Sequence, residues 1–166
     1  MRSLIFLTAF CAASALAEST YITMPGQGWT LKLDTPAITA SETTVEGLRI
    51  KFMGSSTDTG ITLSVHGEPE GAANNQTCFE TFSGRGKANP TVIAATVSTT
   101  SDATAHYVTH QSEGVYRGQP FKTANGHAYF ARGGLCMDLH VSHWPFSEGS
   151  EAQVSGILGS IEVIQD

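Results

Sequence analysis

The sequence predicts an α+β domain built on an antiparallel sheet. Apolar residues alternate along several short runs, two longer stretches show helical spacing, and the order is strands, helix, strands, helix. The first run, "GWTLKL", sets Trp29, Leu31 and Leu33 against Thr30 and Lys32, the period of a half-buried strand. "GLRIKFMG" repeats the pattern with Leu48, Ile50 and Phe52 inward and Arg49 and Lys51 outward. "GITLSVHG" follows with Ile61, Leu63 and Val65 on one face, and the turn composition of "SSTDTG" joins these two runs as a hairpin.

From Asn75 to Asn89 the period changes. Cys78, Phe79 and Phe82 fall at helical spacing, and Asn89-Pro90 marks a stop. Gly84 and Gly86 each weaken that helix by about 1 kcal/mol. Strand-like runs follow at "VIAATV" and "ATAHYVTHQ", then a polar connection through Pro120. "GHAYFARGGLCMDLHVSH" reads as two strands joined at Arg132-Gly133-Gly134. The last helix has Ser147 as N-cap, Glu148 and Glu151 at the positive end of its dipole, and a stripe of Val154, Ile157, Leu158 and Ile161. "IEVI" closes the chain as a short strand.

The first residues point to export. Arg2, the apolar "LIFLTAFCAA" and the small residues Ala15 and Ala17 form a signal-peptide pattern, with cleavage expected after Ala17 and a single domain over residues 18–166. Phe10 stands where a lipobox before Cys11 needs a small residue, so soluble export, secreted or periplasmic, is the expectation. No later apolar run is long enough to span a membrane. The chain has 9 basic and 15 acidic residues; loss of Arg2 leaves 8 against 15, a net charge of −7. Such a surface repels nucleic acid and anionic membrane. A monomer that meets an envelope or extracellular protein is expected. The two cysteines left, Cys78 and Cys136, read in an oxidising compartment as a disulfide closing a 58-residue loop, worth about 4 kcal/mol. The alternative is a pair of buried free thiols.

One stretch resembles chemistry. "LCMDLHVSH" bunches Asp138, His140 and His143, but in a strand Asp138 and His140 share a face that His143 does not. "HYVTH" places His106 and His110 on one strand face, with Tyr107 where a zincin helix needs Glu. If these strands are neighbours, His106, His110, Asp138 and His140 converge on one sheet face, a set suited to zinc or copper. The other reading is a set of ordinary polar residues on a solvated face; His66 and His127 have less to recommend them. No cofactor is called for. "GRGK" lacks the remainder of a phosphate loop, and no G-x-S-x-G elbow occurs. "HGEPEG" lacks the paired ligands of a copper–zinc dismutase. Asn75-Gln76-Thr77 is a glycosylation sequon, relevant in a eukaryotic secretory pathway.

"GWTLKL", "GLRIKFMGSSTDTGITLSVHG", "CFETFSGRGKANP" and "HAYFARGGLCMDLHVSHWPFSEGSEAQVSGILGSIEVI" together resemble the PsbP-like fold, shared with a eukaryotic Ran-binding protein and with small secreted bacterial proteins. That resemblance implies a three-layer α/β/α sandwich around a central, mostly antiparallel sheet. It implies an accessory or binding protein rather than an enzyme, and it carries no catalytic residue to any position here. On this architecture the cysteine pair clamps the first helix to a central strand. Three function classes follow: a non-enzymatic exported binding protein, a periplasmic metal-binding protein using the His/Asp set, and an enzyme. Trp144 and Phe146 are the candidate partner surface, unless they only cover the end of the last helix.

Overall fold

The computed structural model describes residues 18–69, 74–86 and 89–165. The expected cleavage after Ala17 and Lys87 of "GRGK" lie outside them. The described chain is α+β with two antiparallel sheets rather than one. A small sheet has the order β1-β2-β10, from β1 (Glu18–Met24), β2 (Trp29–Thr35) and β10 (Glu162–Gln165). A seven-stranded sheet has the order β3-β4-β5-β9-β8-β7-β6. Its strands are β3 (Ala40–Glu46), β4 (Arg49–Ser55), β5 (Ile61–Glu68), β6 (Ser98–Ser101), β7 (His106–Tyr116), β8 (Gln119–Arg132) and β9 (Leu135–His143). The helices are α1 (Asn75–Gly86) and α2 (Ser150–Gly159).

Alternation sorts the residues as expected. Leu135, Met137, Leu139 and Val141 of β9, with Ile61, Leu63 and Val65 of β5 and Ala124, Ala128 and Phe130 of β8, form one buried face. On it lie α2 and the inner residues of the small sheet: Ile22, Met24, Trp29, Leu31 and Leu33. The opposite face carries α1, whose Cys78 and Phe82 pack with Tyr129 and Cys136. The Cys78–Cys136 disulfide is present and fully buried, clamping α1 to β9. Asn74 caps α1, its Oδ1 accepting from the Thr77 amide at 3.0 Å.

Several expectations are corrected. β1 and β3 had no period to reveal them; every residue of β3 is exposed. Leu48, read as inward, sits in the β3–β4 turn and is 61% exposed. "VIAATV" is no strand: Ala94–Thr96 forms a 3-10 turn and β6 begins at Ser98. The polar connection through Pro120 is part of a long hairpin instead, with Tyr116 opposite Gln119 and positive φ at Arg117 (50°) and Gly118 (79°). Ser147 does not cap α2. Its amide donates to Ser150 Oγ at 2.8 Å, and the cap position is Gly149, with no side-chain cap bond.

Helix α2 therefore lacks about 1 kcal/mol of capping and carries two glycines, each costing about as much. Burial of Val154, Ile157 and Leu158 contributes about 1.5–3 kcal/mol apiece and outweighs these losses. That packing needs Gly126 of β8. A Cβ there would lie 2.5 Å from Leu158 Cδ1 and 2.7 Å from Val154 Cγ1.

Two stability outcomes follow. Gly126→Ala should cost about 1–3 kcal/mol in denaturant unfolding, because α2 must move off the sheet; an unchanged midpoint would show that α2 is not seated on β8. Cys136→Ser should lower the Tm of oxidised protein by the equivalent of about 2–4 kcal/mol and leave the reduced form unchanged. An equal loss in both forms would assign the effect to packing.

Candidate functional site

The site is the polar half of the α1-bearing face. Because a two-residue turn at Gly133-Gly134 joins β8 to β9, His127 stands opposite His140 and Tyr129 opposite Asp138. The β7–β8 register puts His106, Val108 and His110 opposite Tyr129, His127 and Asn125. On the far side, His66 of β5 faces Asp138 and Ser64 faces His140. Five of the chain's six histidines thus share one sheet face; His143 points into the core with Nδ1 buried and unpartnered.

The rings on this face are stacked. His127 lies 4.3 Å from His140 and 5.8 Å from His110 between centroids, with interplanar angles of 8° and 11°. Tyr129 continues the stack at 5.5 Å from His127, and Phe82 of α1 stacks on Tyr129 at 6.1 Å. Phe79 of α1 stacks on His106 at 5.2 Å. A run of nearly parallel rings thereby leads from the helix to the imidazoles.

Their edges are also engaged. Asp138 Oδ1 accepts from His127 Nδ1 at 2.9 Å, and Asn125 Oδ1 accepts from His140 Nε2 at 3.2 Å. Asn125 Nδ2 in turn donates to Thr123 Oγ1 at 2.8 Å. Burial, reinforced by His127, holds His140 down to about 3, with His110 and His66 adding to the effect and Asp138 opposing it. Burial and then His127 hold His110 down to about 4. Burial first, then the Asp138 charge, raises the Tyr129 phenol. At neutral pH His110 and His140 are therefore uncharged aromatic rings.

The expected set of His106, His110, Asp138 and His140 does share one face, but not one point. His106 is under Phe79, and Asp138 is occupied by His127, the residue that sequence reasoning passed over. Imidazole lone pairs lie in the ring plane, so parallel stacked rings do not aim them at a common ion. Among the described residues no three of His, Cys, Asp or Glu are placed to hold a metal. His127 was findable: the predicted Gly-Gly turn already sets it across from His140.

The other singled-out residues divide. Phe146 packs against the core under the Lys122 ammonium, 4.4 Å above its ring. Trp144, two residues earlier, is 57% exposed. Asn75 of the sequon has both amide atoms in use: Nδ2 donates to the Thr104 carbonyl at 3.0 Å and Oδ1 accepts from the Ala131 amide at 2.9 Å. A glycan on Nδ2 would have to displace the first contact.

No protein-family profile and no curated protein sequence matches this chain. Solved structures that resemble it include the following two. One, from Bacteroides thetaiotaomicron, aligns at 8% identity and a TM-score of 0.46 over 82% of this chain, which spans 46% of that protein. The other is LpqN of Mycobacterium tuberculosis, described as involved in cell envelope biogenesis. It aligns at 10% identity and a TM-score of 0.50, over 89% of this chain and 91% of LpqN. At this identity the likeness to LpqN is one of fold.

The depressed histidines set an acid dependence. Their folded pKa values lie below the ordinary 6.5, so below about pH 6.5 the unfolded chain binds more protons. Stability is full above that pH and declines as pH falls towards 4 and then 3. His140 alone accounts for about 3 kcal/mol by pH 4.5, a Tm drop of about 6–12 °C from neutrality. Calorimetry should show the drop in the native protein and a smaller one in His140→Gln. The same drop in both would remove His140 from the account.

Proposed function

We propose that the chain is an exported, envelope-associated accessory protein of the PsbP-like kind, which acts by binding another protein and performs no chemistry of its own. The fold likeness to LpqN over nearly the full length of both chains and the buried disulfide support the envelope setting. In this reading the leader is removed after Ala17 and a monomer beginning at Glu18 works in the periplasm or outside the cell. Among the described residues no helix is long and apolar enough to cross a membrane.

The observation that carries the binding role is the exposure of Trp144 on a fixed backbone. Its amide donates to the Gly60 carbonyl at 3.0 Å, and Gly60 must lack a side chain because a Cβ there would fall 1.9 Å from the Trp144 carbonyl oxygen. A large aromatic ring is thus held in water by a rigid frame, the arrangement that suits an interface anchor. The β7–β8 hairpin overhangs the same end of the sheet. β8 pairs with β9 only from Ala124, so Gln119–Thr123 extend about 15 Å beyond it, and the β7 arm opposite carries exposed Val115 (71%) and Tyr116 (65%).

A photo-crosslinking residue at Trp144 should trap one discrete envelope protein in the native host. The same residue at Leu48, exposed at the opposite end of the sheet, should trap none. Trp144→Ala should then weaken that complex at least tenfold while shifting Tm by less than about 2 °C, whereas Phe146→Ala should lower Tm several-fold more. Equal trapping at both positions, or unfolding caused by Trp144→Ala, would overturn the assignment.

A further inference from the structure

We propose that the stacked imidazoles of His110, His127 and His140 are a proton-responsive latch for helix α1, closed while His110 and His140 are neutral and opened as they take up charge, with the disulfide keeping the released helix tethered. This latch lies on the sheet face and does not depend on the partner surface at Trp144.

Geometry carries the proposal. Helix α1 meets the sheet through Phe79 and Phe82, and both contact Tyr129. Tyr129 stacks on His127, and His127 lies between His110 and His140. Neutral, these rings pack face to face as aromatic groups. Asp138 Oδ1 bonds the His127 ring at 2.9 Å. A charge in that ring works against a proton on His140 or His110, whose rings lie 4.3 and 5.8 Å away. Once those protons bind, the rings have to separate, and Tyr129 loses the neighbour that positions it beneath the helix.

The charged and titratable groups facing the stack come from every element around it. They are Glu42 and Glu46 on β3, Arg49 and Lys51 on β4, His66 and Glu68 on β5, His106 on β7, Tyr129 on β8 and Asp138 on β9. Helix α1 presents Cys78, Phe79 and Phe82, and its Glu80 is exposed and bonded to Gln76. Asp138 favours a charge on His140, while His127, His110 and His66 oppose it. The depressed titration of His110 and His140 places the opening below the ordinary histidine range. The bridge between Cys78 and Cys136 is covalent and unaffected by protons, so opening is a local loosening rather than loss of the helix.

Hydrogen exchange of the oxidised protein, corrected for intrinsic rate and followed from pH 7.5 to 4, tests this. Amides of Asn75–Gly86 should lose at least tenfold more protection across that range than those of the β4–β5 hairpin. In His110→Gln/His140→Gln the α1 protection should stay flat. Loss of protection in α1 and the hairpin together, with one midpoint, would mean global acid unfolding and overturn the latch, as would an unaltered α1 profile in the double variant. Should that variant not fold, histidine Cε1–H titration in the native protein decides. Amide shifts of α1 that follow the midpoints of His110 and His140 support the latch, and shifts that follow carboxylate midpoints or do not move overturn it.

Discussion

Strands β8 and β9 are covered on both faces, and the rest of the structure depends on that constraint. A strand turns successive residues to opposite sides, so each of these strands must satisfy two environments at once. Leu135, Met137, Leu139 and Val141 serve the core beneath α2 and the small sheet, while Cys136, Asp138 and His140 serve the face under α1. The two layers cannot slide independently. A one-residue slip of β9 would drive Asp138 and His140 into the aliphatic core and take Cys136 away from Cys78. The disulfide and the apolar pattern therefore fix the same register by unrelated means.

Much of this was legible because alternation and turn chemistry are local signals. Cys78, Phe79 and Phe82 at helical spacing give the α1 contact, and Arg132-Gly133-Gly134 gives the hairpin. The elements that escaped lack those signals. All seven residues of β3 are exposed, so its strand state comes from pairing with β4 and leaves no periodic trace. In α2 the serine that reads as a cap bonds Ser150 instead, and seating on Gly126 replaces the cap. The β7–β8 overhang hides behind Pro120, which is tolerated where β8 has no β9 partner to supply.

The candidate site was half legible for a different reason. Parity alone places His106 with His110 and Asp138 with His140. Only the order β9-β8-β7 brings the two sets onto one face, with β8 between them. His127 is the residue on that intervening strand, so a reading that compared β7 with β9 directly had no place for it. The end of the molecule shows the same limit. Trp144 and Phe146 are two residues apart, yet one is exposed and the other packs on the core beneath Lys122.

Histidine, rather than phenylalanine, suits the stack because it offers a face and an edge. The faces of His127 and His140 pack against each other as any flat ring would. Their edges meet Asp138 and Asn125, two polar side chains on the same half-buried surface. Phenylalanine at either position would keep the stacking and leave an acceptor unsatisfied, at about 1–3 kcal/mol for each. Aspartate or asparagine there would keep a polar edge and lose the ring that links Tyr129 to its neighbours. Residues that look like a ligand set in the sequence are therefore the ones that satisfy both demands of a face that is aromatic beneath the helix and polar at its rim. The property that makes imidazole fit, a ring nitrogen that can take a proton, is also what makes this face the acid-sensitive part of the fold.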